Sequence, residues 1–513
     1  MNSFYIAFVA LILGYFFYGK FVEKVFGPDP NRVTPAIAKQ DGVDFMPLPT
    51  WRIFMIQFLN IAGLGPIFGA IMGAKFGAAS YLWIVFGCIF AGAVHDYLAG
   101  MMSLREGGES LPDIIGRHLG MKAKTVMRIF TVILMILVGA VFVSGPSAIL
   151  AKIFTGVNVG DESSPSLLDI LFYGPIIPYL KEPTTWFVII FVYYILATLL
   201  PIDKVIGKVY PLFAIALIFM AVGVSVMLVK TSPALPEIWD GLQNTHPAGE
   251  DAMPLFPMMF VSIACGAISG FHATQSPLMA RCMTNEKHGR PIFYGAMITE
   301  GIVALIWAAA ANYFFNEHGM GETNAALIVD NITKNWLGEV GSVLALLGVV
   351  FAPITSGDTA LRSARLIVAD FLNKEQKTIK SRLAISLPIF AVTLIVLIYS
   401  VRDKDGFNLI WRYFAWCNQA LSVFTLWAIT VFLRKRGNYW WVTFVPAIFM
   451  TMVCSTYIFI APECLHLDKT ISYTAGAVVT IMTVAVFMKS LNSKKDSSDL
   501  TVTNDNSTDL TVQ

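Results

Sequence analysis

The chain is 513 residues long, 56% hydrophobic and only 14% charged, with a mean hydropathy of +0.66 and a formal net charge of +2. That balance excludes an ordinary soluble protein, in which about a quarter of residues are charged, and points to an all-α polytopic membrane protein. The near-zero net charge is itself uninformative; membrane lipid is the expected surrounding, and no nucleic-acid partner is expected.

Cutting the apolar runs at their charged or Pro/Gly-rich edges predicts about 13 spans of roughly 20 residues each. They fall near 3–19, 53–75, 79–101, 125–151, 184–200, 209–229, 256–280, 291–314, 339–361, 384–400, 407–433, 439–460 and 470–488. The first run has no basic residue before it and Lys20 and Lys24 after it, which predicts an uncleaved anchor rather than a signal peptide. The second span is the most informative. Gly63, Gly65 and Pro66 interrupt it, yet lipid offers no hydrogen bonds to a broken backbone. Such a break is tolerated only where the freed N–H and C=O groups face protein, water or a ligand, so it points to a transport site. Pro66 suits the first position of a new half-helix, where its missing N–H is no loss. The upstream half would leave the carbonyls near Asn60 to Ala62 free for a cation.

The third span carries His95 and Asp96 in its inner half. Ionisable groups at membrane depth are functional candidates. The pair reads either as a proton relay or as an anchor for the loop bearing Arg105 and Glu109; neighbours in sequence point about 100° apart on a helix and need not touch. In that loop, Ser110-Leu111-Pro112-Asp113 opens with a capping serine and predicts a short amphipathic helix.

The seventh span repeats the anomaly, with Gly266, Ser269, Gly270, His272 and Gln275 near its middle. Five spans (53–229), beginning with the first broken one, precede it, and five (256–433) begin with it. An odd number per half makes the two halves enter the membrane from opposite sides, the pattern of an inverted-repeat transporter. Both downstream half-helices would expose N–H groups and partial positive charge at the membrane centre, suited to a small carboxylate. Asn60, Gly63, Gly65, Ser269, Gly270, His272 and Gln275 are the resulting substrate-binding candidates. Glu300, in the middle of the next span, reads as a lone buried carboxylate, either a proton-coupling group or a hydrogen-bonded link between helices. With His95 and Asp96 it completes the proton-coupling candidates. In the span 339–361, Thr355, Thr359 and the following Ser363 share one helix face. Hydroxyl and carbonyl oxygens suit a hard cation such as sodium, which makes Ala62, Thr355, Ser356 and Thr359 the cation-binding candidates. The plainer reading is that these hydroxyls bond their own backbone.

The loops on alternate sides separate by charge. Most of the 36 basic residues, from Lys20 and Arg52 through Arg105, Lys204, Arg281, Arg362 and Arg434, collect on one side, while the other carries Asp161/Glu162 and Glu250/Asp251. By the positive-inside rule the N-terminus is outside and the C-terminus inside. The six cysteines are scattered without a CxxC, so no cofactor and no metal beyond a sodium ion or proton as coupling ion is expected. No P-loop or nucleophile motif is present, which argues against an ATP-driven pump and against an enzyme. Trp411, Trp416, Tyr439, Trp440 and Trp441 suit interfacial belts. From 490 to 513 the chain is polar, with Asp499-Leu500-Thr501-Val502 echoed at Asp509-Leu510-Thr511-Val512. It reads as a disordered cytoplasmic tail behind a transmembrane domain of 1–489.

Gly65-Pro66-Ile67-Phe68-Gly69-Ala70, Phe90-Ala91-Gly92-Ala93-Val94-His95-Asp96-Tyr97, Arg105-Glu106-Gly107-Gly108-Glu109-Ser110 and Gly270-Phe271-His272-Ala273-Thr274-Gln275 resemble the carbon starvation protein A (CstA) family. The resemblance runs from the N-terminus to about residue 400. It implies inner-membrane uptake during carbon limitation, with pyruvate (and protons) or peptides as substrate classes. It also implies the LeuT-like five-plus-five inverted repeat of the APC superfamily, with one extra helix ahead of the core and about two behind. By that analogy Thr355 and Ser356 match the paired hydroxyls that face the broken first core helix. The expectation is a secondary active transporter of the cell inner membrane, importing a small carboxylate such as pyruvate by proton or sodium symport. The alternatives are a short-peptide transporter of the same fold and, from another class, a membrane-embedded nutrient sensor, although no sizeable soluble domain is present to carry a sensor's output.

Overall fold

The computed structural model describes residues 1–41, 45–155, 174–199, 206–321, 324–376, 378–403 and 406–491. Asp161, Glu162, Lys204 and the tail from 492 onward lie outside them. All regular structure among the described residues is helical. In chain order the main helices are α1 (Asn2–Phe26), α2 (Thr50–Ile61), α3 (Leu64–Ala74), α4 (Ala79–Arg105), α5 (Leu111–Leu119) and α6 (Met121–Thr155). They continue as α7 (Pro183–Leu199), α8 (Ile206–Thr231), α9 (Gly270–Ala280), α10 (Glu286–His318), α11 (Ala325–Ala345) and α12 (Ala352–Phe371). The last are α13 (Ile379–Arg402), α14 (Gly406–Lys435), α15 (Trp441–Ile460) and α16 (Lys469–Leu491). Residues Met1–Met450 form one compact unit and the chain from Thr451 a second. Within the second, Ser455 donates to the Gly476 carbonyl at 3.3 Å, joining the end of α15 to α16.

Each predicted span has a helical counterpart among the described residues, in the predicted order of one helix ahead of two five-span halves and two behind. Among the described residues, 9 helices are long and apolar enough to cross a membrane, or 10 if the bent pair α2–α3 is one span. The others fall short for identifiable reasons. Of α7, 17 residues are described. The span predicted at 256–280 is in pieces. The one predicted at 339–361 begins after Gly338, whose φ of 58° kinks α11, then passes through a wide turn at Leu346–Phe351 and runs on as α12 to Phe371.

Both interruptions are real. At the first, α2 ends at Ile61, Ala62 and Gly63 leave helical geometry, and α3 departs at 46°. Pro66 is the third residue of α3 rather than the first; it still lies in the opening turn, whose N–H groups have no acceptor within the helix. The second break is longer. Short pieces at Leu255–Met259 and Phe260–Ser262 precede a non-helical stretch, and α9 starts only at Gly270, with Ser269 at its N-cap.

The two broken spans run antiparallel. The upstream half α2 packs against the downstream half α9, while the downstream half α3 packs against the upstream piece Phe260–Ser262. Only opposite chain directions pair the halves in that way. Missing side chains permit the approach: a Cβ on Gly65 would stand 2.3 Å from Cys265 Sγ, and one on Gly92 of α4 would stand 2.2 Å from the Ala267 carbonyl oxygen. Alanine at either position overpacks a fully buried contact and should cost about 1–3 kcal/mol. Thermal unfolding of purified Gly65→Ala and Gly92→Ala protein should show lowered midpoints; unchanged midpoints would mean that the break can move aside freely.

Candidate functional site

The second break is surrounded by the polar residues of four helices. A wide turn at Gly87–Gly92 in α4 leads into His95 and Asp96, and wide turns of this kind recur at functional sites. Asp96 is the centre of a buried chain. Its Oδ1 lies 2.8 Å from His95 Nδ1 and its Oδ2 lies 2.8 Å from His272 Nδ1 on α9. Beyond it, His272 Nε2 lies 3.4 Å from Glu300 Oε2 on α10. All four side chains are 0% exposed. A carboxylate only accepts, so each imidazole presents an Nδ1–H to Asp96 and turns its Nε2 away.

This geometry corrects one expectation and answers a question the sequence left open. Glu300 is not alone, because α9 brings His272 to it. His95 and Asp96 do touch, and they do not anchor the following loop: Arg105 pairs instead with Glu286 at 2.9 Å and donates to the Gly27 carbonyl at 2.6 Å. In α5 the predicted capping serine also behaves differently, since Ser110 Oγ bonds the Asp113 carboxylate rather than a backbone N–H.

The sequence predicts an exposed positive end for α9, but the structure caps it from α14. Asn418 Oδ1 accepts from Phe271 N–H at 2.7 Å and from Ser269 Oγ at 3.0 Å, and its Nδ2 donates to Cys265 Sγ at 3.2 Å. The neighbouring Gln419 donates to the Phe260 carbonyl. One Asn-Gln pair on α14 therefore serves both sides of the break. Asn418 and Cys265 were not singled out in the sequence; a polar pair within the apolar run 407–433 is the signal that could have found the first.

At the other break, Gly63 caps α3 and Ala62 ends α2. Both polar atoms of Gln57 and the Oδ1 of Asn60 are buried and make no hydrogen bond among the described residues. Gln275, one turn beyond His272, is buried and donates to Thr274 Oγ at 3.0 Å. Trp411, expected at an interface, is instead buried against Phe68 of α3 at 5.7 Å and Phe414 at 5.4 Å. On α12, Thr355 and Ser356 both donate to the Ala352 carbonyl, at 2.8 and 3.1 Å, and Thr359 donates to the Thr355 carbonyl at 3.1 Å. These hydroxyls thus bond their own helix, which packs against α2. A cavity of about 420 Å³ reaches α9 at Thr274 and Pro277, lined also by Lys39, Arg128, Arg281 and Ser363.

Asn418→Ala removes the acceptor for a buried N–H and a hydroxyl and should cost about 1–3 kcal/mol. At mildly acidic pH, where a buried carboxyl is protonated, Asn418→Asp keeps the acceptor at this buried position and should retain more of the stability than the alanine variant. Equal losses in the two unfolding curves would contradict the capping role.

The sequence profile of the family Carbon starvation protein CstA matches residues 1–163, 173–335 and 318–457. An uncharacterized membrane protein of Haemophilus influenzae is 44% identical over 61% of this chain and 91% of its own length. The peptide transporter CstA of Campylobacter jejuni is 28% identical over 95% of this chain and 84% of its own. The pyruvate/proton symporter BtsT of Escherichia coli is 26% identical over 87% of this chain and 79% of its own. With matches over nearly its whole described length, and both broken spans inside them, the chain belongs to the carbon starvation protein CstA family.

Proposed function

We propose that this protein is a secondary active transporter, importing a small carboxylate such as pyruvate by symport with a proton or a sodium ion. The observation that carries this reading is the contact of two antiparallel broken spans, Gly65 against Cys265. Backbone interrupted at membrane depth persists only where protein, water or cargo satisfies it, and paired breaks are where carriers hold substrate. We take 53–229 and 256–433 as the two repeats, with the N-terminus outside and the C-terminus in the cytoplasm of a cell limited by an inner membrane.

In this reading the unbonded atoms of Gln57 and Asn60, with Gln275 and the break glycines, contact the substrate. The basic residues of the cavity, Lys39, Arg128 and Arg281, favour an anion on its way to or from α9. Asp96 and Glu300 supply fixed negative charge beside the second break, where a coupling cation would be drawn. Sodium would instead use Ala62 with Thr355, Ser356 and Thr359. The related transporters named for pyruvate and for peptides support the substrate class in two directions. A short peptide is the second reading, favoured by the same two carboxylates, which could receive its amine.

Uptake of labelled pyruvate into proteoliposomes should need an imposed gradient, and uptake indifferent to both proton and sodium gradients would contradict symport. Competition by other short acids but not by dipeptides supports the carboxylate reading; the reverse ranking supports the peptide one. Asp96→Asn should lower gradient-driven accumulation by an order of magnitude while counterflow exchange persists. If sodium drives uptake, the Thr355→Ala/Ser356→Ala double variant should lose the sodium dependence, and its retention would remove that site.

A further inference from the structure

Cys265, His272 and Glu300 place a thiol sulfur, an imidazole nitrogen and a carboxylate oxygen within 4.8 Å of one another, all three residues buried. We infer that this cluster is a binding site for a borderline-soft divalent metal of the zinc class, made of one ligand each from the break, α9 and α10.

The donor set has the chemistry for it. Thiolate and imidazole together select zinc or cobalt over magnesium or calcium, which take oxygen ligands. Donors on one tetrahedral zinc stand roughly 3.3–3.8 Å apart, from bond lengths of about 2.0–2.3 Å. His272 Nε2 and Glu300 Oε2 are already at 3.4 Å. Cys265 Sγ lies within 4.8 Å of both and would have to approach them to complete the set. Beyond this cluster, neither oxygen of Glu300 nor the His272 Nε2 has a hydrogen-bond partner among the described residues, so both groups are turned toward the common centre.

The surroundings are built as a second layer around such an ion. Metal-bound histidines regularly give their other N–H to a carboxylate, which sets the ring's tautomer and orientation. His272 does this, with Nδ1 2.8 Å from Asp96 Oδ2, and Asp96 is held in turn by His95. The sulfur receives a hydrogen bond from Asn418 Nδ2 at 3.2 Å, which would steady a thiolate. Two negative ligands and one neutral imidazole would balance a divalent charge in a site excluded from water. Three protein ligands leave a fourth position, the arrangement of an open zinc site rather than a closed structural one.

Cobalt titration of the full chain in detergent tests the proposal without relying on transport, so its outcome is separate from the substrate reading. One equivalent should bind with a sulfur-to-cobalt charge-transfer absorption, and zinc should displace it. Cys265→Ser should abolish that absorption, while Cys454→Ser and Cys464→Ser should keep it. Asp96→Asn should retain the absorption with roughly 10–100-fold weaker affinity, as for loss of an outer carboxylate; Glu300→Gln should also weaken binding, which covers the case of a Cys265 variant that does not fold. Absence of the absorption in the unaltered protein, or its persistence in Cys265→Ser, would overturn the site.

Discussion

The hydrogen bond between Asp96 and His272 is the interaction on which the remainder of the site depends. It crosses from an unbroken helix, α4, to the half-helix that follows the second break. A charged residue in a water-free interior is stable only when its neighbours answer its charge and its hydrogen-bonding capacity. Asp96 meets that requirement with two imidazoles, and so dictates which face His272 turns toward Cys265 and Glu300. Without that bond the His272 ring would lose its fixed orientation, and the polar groups near the break would lose their common centre.

The break itself persists for the same reason. A stretch of non-helical backbone between Ser262 and Gly270 must find partners within the protein. Part of the answer is Asn418, which stands in for the missing helical acceptors at the start of α9. Part is the density of packing, with Gly65 and Gly92 letting neighbouring backbones and side chains come within van der Waals contact of the interrupted segment. The result is a rigid frame around a few unsatisfied polar atoms. Among the described residues, atoms of Gln57, Asn60, His272 and Glu300 are some of these, and they lie on the pieces that the two broken spans contribute or face.

Much of the architecture was legible in the residues. Apolar runs of spanning length locate the helices because lipid imposes both length and composition, and Gly63-Leu64-Gly65-Pro66 marks the first break because such a segment cannot stay helical cheaply. The span predicted from 339 begins just after the Gly338 kink, although the sequence predicts only the span and not the kink. The register within each break was less accessible. Pro66 fell two positions into its helix, and α9 began at Gly270 only because a cap was available from a segment about 150 residues away in sequence (Asn418).

What the sequence determined by itself was the list of membrane-spanning elements, the two interruptions and their placement in oppositely directed halves, since these follow from local hydropathy, glycine and proline. Only the tertiary structure decided which side chains meet. Cys265, His272 and Glu300 lie on separate segments with no readable spacing, and His95 with Asp96 joins them through helix rotation and the wide turn before them. Those contacts arise from the packing of α4, α9, α10 and α14 around one gap, and no local pattern encodes the angle at which four helices close upon it.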